Sequence, residues 1–234
     1  MFKKYQKYIR EEHFPFFIAI AILYISFLCI DFSNLSPQFK DTISSAFKYA
    51  SILLCLVYVG LKTHHEHHLF LALLFTLLAD TILVWTDMEF LGVTIFCIAQ
   101  YCHTKRIKRS PNRSIDYYPI LLLIIFALST ILNHQPIYLV SAIYASNLFL
   151  NLILANRKYR QHPSVQNFAL FLGFILFICC DSCVAFRHLT LDGALPHAIL
   201  PFVSYLVWFF YLPSQFLLSQ SGKPRKVAKP TQNS

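Results

Sequence analysis

Apolar residues in this chain come in long unbroken blocks, such as 14–30 and 118–132, and not at every third or fourth position. A helix made from such a block is hydrophobic on every side and belongs in lipid. The blocks predict eight helices, at 14–30, 45–61, 69–85, 88–103, 118–133, 137–154, 168–185 and 198–218. The expected fold is therefore an all-α, polytopic membrane bundle of about eight transmembrane helices. The fourth block is a short one. Its 16 residues reach about 24 Å, less than the ~30 Å hydrocarbon core, so this helix is expected in thinned lipid or inside the bundle.

No Gly/Ser linker or soluble domain interrupts the blocks, and no connection, 104–117 included, is longer than 14 residues. Residues 1–220 are thus expected to form a single transmembrane domain. Residues 221–234 carry lysines, two prolines and no apolar anchor, which predicts a disordered basic cytoplasmic tail. The first block is flanked by Glu11, Glu12 and Asp31 without a small-residue cleavage site, so it reads as a retained helix and not as a signal peptide. The segments LFTLLADTILVW and GFILFICCDSCVAF each place one aspartate late in an apolar span, which hints at a repeat four helices apart.

Composition agrees with the pattern: 56% of the 234 residues are apolar and 13% charged, more oily surface than a soluble core of this size could hide. Charge adds an orientation. With eight spans, 17 of the 20 Lys and Arg residues fall on the side of the termini, Lys40 and Arg187 on the other, and Lys48 inside a helix. The positive-inside bias then places both termini in the cytoplasm, and a bacterial plasma membrane is the expected location. The net charge of +9 is mostly this topology plus attraction to anionic lipids. No folded basic domain is present to bind nucleic acid, so nucleic acid is not an expected partner. All seven cysteines lie in apolar blocks. Cys180 and Cys183 have the spacing of a redox or metal pair, but no second pair follows and helix packing accounts for them. His64, His65, Glu66, His67 and His68 could offer zinc ligands, yet fit a solvated cytoplasmic turn; neither a metal nor a cofactor is expected.

Chemistry is sought first where charge enters lipid, because an ionised side chain at mid-membrane costs about 2.5–3.5 kcal/mol on insertion scales. Lys48, Asp80 and Asp181 are the three such residues. The expected topology sets all three at similar depth in the outer half of the bundle. The alternative is a structural ion pair between Lys48 and one of the aspartates. Two polar stripes accompany them: Ser204, Trp208, Tyr211 and Gln215 on the last helix, and Ser141, Tyr144, Asn147 and Asn151 on the sixth. Such stripes either hydrogen-bond between helices or line a polar cavity beneath the carboxyls.

In order along residues 45–218, these motifs resemble the YhhN-like lysoplasmalogenase family of eight-helix membrane proteins. They are Lys48, LLADTIL around Asp80, Gly92 with Phe96, Tyr144, LGFILFICCDS around Asp181, and Tyr211 followed by Gln215. Ala79, Tyr49 and Gln100 depart from the glycine, proline and histidine usual in that pattern. The resemblance implies hydrolysis of the vinyl ether bond of a lysoplasmalogen. Asp80 and Asp181 would be the catalytic acid and base, in either order. Lys48, Tyr144, Tyr211 and Gln215 would hold the lysophospholipid substrate among the membrane lipids. A lipid or small-solute transporter, using the same carboxyls for protons or substrate, is the alternative; a purely structural role is the third.

Overall fold

The structure is a computed structural model that describes residues 14–33, 37–63, 66–108, 136–191 and 193–223. Among them the chain is all-helical: α1 (Phe14–Asp31), α2 (Pro37–Lys62), α3 (His67–Trp85), α4 (Glu89–Ile107), α5 (Pro136–Gln161), α6 (Val165–Leu191), a 3-10 turn (His197–Ile199) and α7 (Leu200–Gln220). Each falls on a predicted block. The predicted helix at 118–133 lies outside the described residues, as do His64, His65 and 224–234. Among the described residues six helices are long and apolar enough to cross a membrane, and the chain is an integral membrane protein.

The helices run beyond their apolar blocks at polar ends. α2 starts at Pro37 and not at 45, while α5 and α6 continue to Gln161 and Leu191. α4 has 19 residues in place of the expected 16 and ends on His103, Thr104, Lys105, Arg106 and Ile107, of which His103, Thr104 and Arg106 are buried. At about 28 Å it nearly spans the hydrocarbon core. It is not among the six apolar spans, because Glu89 opens it and Lys105 and Arg106 close it. Hydropathy misses that last turn because its residues are polar although three of them are buried. Four prolines, at 15, 37, 136 and 201, sit in first turns, where the missing N–H breaks no helical bond. Gly193 turns the chain between α6 and α7 with φ +78, a left-handed conformation natural to glycine.

The chain packs as two compact units, Met1–Leu56 with Leu172–Leu217, and Val57–Phe171 with Leu218–Ser234. In the second unit α3 and α4 form a tight antiparallel hairpin. A Cβ on Gly92 would lie 2.5 Å from Leu83 Cγ, so only glycine permits that approach. α4 then packs along α5. Cys97 meets the Val140 carbonyl at 3.7 Å, Phe96 and Tyr144 rings lie 5.6 Å apart, and Asn151 bonds Gln100 and Thr104 further along. Both numberings rise together, so these two helices are parallel.

At the end of the unit carrying the α4 C-terminus, Arg106 is buried. Its Nε lies 3.3 Å from Glu66 Oε2, and its Nη2 donates to the Ser221 carbonyl at 2.5 Å and to Ser221 Oγ at 2.9 Å. Tyr58 donates to Gln220 Oε1 at 3.1 Å. Ser221, expected to begin a disordered tail, is instead a buried partner of Arg106, because a desolvated guanidinium needs acceptors. Glu66, expected in a solvated turn, is the counter-ion.

Two outcomes follow for thermal unfolding in detergent. Gly92→Ala lowers stability by about 1–3 kcal/mol through overpacking against Leu83. Arg106→Ala lowers it by about 3–5 kcal/mol, because it strands a nearly buried carboxylate; an unchanged midpoint would show that Glu66 finds water.

Candidate functional site

In the first unit, Lys48 projects from α2 and its Nζ lies 3.1 Å from Asp31 Oδ2 at the end of α1. Their side chains are 10% and 17% exposed, so the pair is largely withdrawn from solvent. The same ammonium stands 5.3 Å from the centroid of Phe27 and 5.1 Å from that of Trp208. Two ring faces and one carboxylate therefore share the cation, an arrangement favoured where desolvation strengthens cation–π attraction. Sequence alone offers Asp80 and Asp181 as counter-ions for Lys48; the structure shows an ion pair with Asp31, which reads in the sequence only as a flanking charge. The signal available is local: a lone cation inside a span requires an anion, and Asp31 closes the helix that precedes α2.

Trp208 continues into a chain of rings. It meets Tyr211 edge-on at 5.3 Å, and Tyr211 meets Phe177 of α6 at 5.7 Å. Asp181 is one turn beyond Phe177 on α6, half-buried, and Gln215 is one turn beyond Tyr211 on α7. Because α6 and α7 are consecutive and antiparallel, Asp181 and Gln215 diverge from that contact, about 12 Å apart along the axis at 1.5 Å per residue. The α7 stripe thus divides its work: Trp208 faces the cation, Tyr211 packs on α6, and Gln215 is buried in the wall of a separate cavity.

That cavity, about 370 Å³, is bounded by α1, α2 and α7. Pro213 lies inside α7 and cannot donate to the Phe209 carbonyl one turn back. Tyr24 of α1 donates to that carbonyl instead, at 3.1 Å. The walls are mainly apolar, unlike the polar cavity the stripe suggested.

In the second unit Asp80 is 6% exposed on the buried face of α3, one turn from Thr76. Tyr144 packs its ring against Phe96. Gln100, a departure from the family pattern, is fully buried: its carbonyl and Oε1 each accept from Asn151 Nδ2 at 2.9 Å, and Thr104 donates to Asn151 Oδ1 at 2.8 Å. Asn151 of the α5 stripe is therefore an interhelical tie. Within the first unit the structure gathers Lys48, Trp208 and Tyr211, with Asp181 a turn away; Asp80 and Tyr144 belong to the other unit.

Tyr24→Phe leaves the Phe209 carbonyl without a donor and lowers stability by about 1–3 kcal/mol. Asp31→Ala removes a charge-assisted bond from Lys48 and costs about 1.5–3 kcal/mol. Chemical denaturation in mild detergent measures both, and no change for Asp31→Ala would mean that Lys48 depends on its other neighbours.

No curated protein and no solved structure matches the chain. The family comparison does find a match, and it runs from residue 43 to residue 222, from the first turns of α2 past the end of α7. It contains Lys48, Asp80, Tyr144, Asp181, Tyr211 and Gln215, and on that match the chain belongs to the YhhN family.

Proposed function

We propose that the chain is a lysoplasmalogenase-like hydrolase that cleaves the vinyl ether bond of a lysoplasmalogen within the membrane. The observation that carries this reading is Asp80, a carboxyl 6% exposed in an apolar span, with a second carboxyl, Asp181, in another span of the family-matched segment. Acidic side chains persist in such places when they do chemistry or transport.

The chemistry suits two carboxyls. Protonation of the outer vinyl carbon by one aspartic acid yields an oxocarbenium ion. The other aspartate, ionised, stabilises that cation and takes a proton from the attacking water. The resulting hemiacetal collapses to a fatty aldehyde and a glycerophospho alcohol, so one water is consumed and the catalytic proton returned. Glycosidases divide labour similarly around a related cation. Lys48, sharing a carboxylate and two rings, holds the lipid phosphate when substrate competes with Asp31. Tyr144, Tyr211 and Gln215 orient the lipid. The substrate is a lysophospholipid drawn from surrounding membrane lipids. The protein works in a bacterial plasma membrane with eight spans and both termini cytoplasmic.

Purified protein given lysoplasmalogen in detergent releases aldehyde without any gradient, whereas a transporter releases none. Asp80→Asn and Asp181→Asn each lower the rate by at least about 100-fold, the scale of general acid–base catalysis, while the protein still inserts normally. Full activity in either variant removes that aspartate from the mechanism, and absence of aldehyde from the wild type overturns the reading.

A further inference from the structure

α4 and α5 run parallel, so their C-terminal turns lie at the same end of the second unit. Thr104 donates to Asn151 at 2.8 Å and sets the two helices level there. From that level Lys108 is four residues along α4 and Arg157 six residues along α5, so the two stand within about 3 Å of one height. They also share a side. Counted at about 100° per residue from Gln100, whose amide meets Asn151, Lys108 lies about 80° round α4, Tyr101 about 100° and Lys105 about 140°. Arg157 lies about 120° round α5 from Asn151 in the opposite sense. Because the two helices run parallel and face each other, opposite senses point to one side of the pair. Lys105 and Arg157 are exposed, and the Lys105 ammonium stands 5.2 Å from the centroid of the exposed Tyr101 ring.

The charges gathered there are not answered by acids of the same unit. Its described acids are Glu66, Asp80, Asp87 and Glu89. Asp80 lies within α3, Asp87 and Glu89 lie at the opposite end of the α3–α4 hairpin, and Glu66 is spent on the buried Arg106. Lys105, Lys108 and Arg157 thus meet no carboxylate among the described residues. Beneath the cations the exposed side chains are apolar, with Ile98 two turns before Lys105 and Ile153 one turn before Arg157. Basic heads above an oily surface, with a tyrosine where one gives way to the other, fit the boundary between lipid head groups and hydrocarbon. The complement of such a surface is a negative group carried on hydrocarbon chains. We propose that this side of the α4–α5 pair binds an anionic two-chain phospholipid of the surrounding leaflet, its phosphate shared by Lys105, Lys108 and Arg157.

Each side chain has its part. Arg157 offers a planar fork to two phosphate oxygens, while the two lysines act as point charges. The Tyr101 ring holds Lys105 in place through cation–π attraction, so less freedom is lost when the phosphate arrives. A soluble polyanion would meet the same charges but would find no use for the apolar residues beneath them. A diffuse attraction to anionic lipid would be spread over every basic helix end, whereas this site depends on three cations at the ends of two level, parallel helices. None of these residues belongs to the carboxyl site, so the inference stands whether or not Asp80 and Asp181 hydrolyse anything.

The test is native mass spectrometry of the full chain in mild detergent, titrated with phosphatidylglycerol or with phosphatidylcholine of the same acyl chains. The wild type holds one phosphatidylglycerol about tenfold more tightly than phosphatidylcholine. Lys105→Gln and Arg157→Gln each weaken that retention about fivefold, the scale of one basic residue near an anionic surface. Lys105→Arg and Arg157→Lys keep the charge and most of the retention, which guards against a folding defect. Arg187→Gln removes one charge from the exposed surface of α6 in the other unit and leaves retention as it was. The proposal is overturned if the wild type holds the two lipids alike, or if Arg187→Gln costs as much as Lys105→Gln. It is overturned equally if the charge-keeping variants lose as much as the neutral ones. Because the readout is the mass of retained lipid, its failure is distinct from failure of aldehyde release.

Discussion

A hydrocarbon surround offers no hydrogen bonds, so every polar atom carried into the spans must be answered by another atom of the protein or by a ligand. The structure reads as a series of answers to this demand. Lys48 receives Asp31 and two ring faces; Arg106 receives Glu66 and both oxygens of Ser221; Asn151 receives Gln100 and Thr104. In each case the partner comes from a different helix or terminal turn, so the same bonds that hide a polar group also fix which elements lie together. Apolar contacts alone specify little in lipid, where a leucine is as comfortable against an acyl chain as against another leucine.

This explains what could be read from the chain and what could not. Helix existence is written in unbroken apolar blocks, and α1 is legible because almost nothing in 14–31 contradicts it. Helix ends are not, since the last turns of α4, α5 and α6 are polar and hydropathy stops where the apolar residues stop. Arg106 reads in the sequence only as one basic residue at the end of a block, because sequence cannot show that Ser221 folds back to meet it. Lys48 stands out in the sequence as a charge within an apolar block, but its pairing with Asp31 depends on how α1 lies against α2. Gln215 stood out through its spacing from Tyr211, yet its surroundings proved apolar. The two carboxyls were singled out by cost alone, and burial of Asp80 agrees with that reasoning.

The division of the α7 stripe also bears on specificity. Trp208, Tyr211 and Gln215 share one helix face, but their neighbours differ sharply: a cation, an aromatic ring of α6, and an oily cavity. A lipid is the one common ligand type whose own chemistry changes along its length in that sense, from charge through an uncharged polar region to hydrocarbon. A small polar solute would find use for the first environment only. Among the readings weighed for this fold, lipid chemistry therefore fits the graded face of α7 better than carriage of a small solute.

The cavity itself can be traced to a single missing proton. Pro213 has no N–H, so the Phe209 carbonyl cannot complete its helical bond and must find a donor outside α7. Tyr24 supplies it, and in doing so holds α1 to α7 at a fixed height. One turn or two further along, Phe16 and Phe17 pack on Phe216, closing the other end of the same pair of helices. Between these two contacts α1 and α7 are held apart by large side chains, while Ala21 offers too little bulk to fill the space. The gap is therefore a consequence of how the helices are pinned, and not a packing failure that a slight shift would remove.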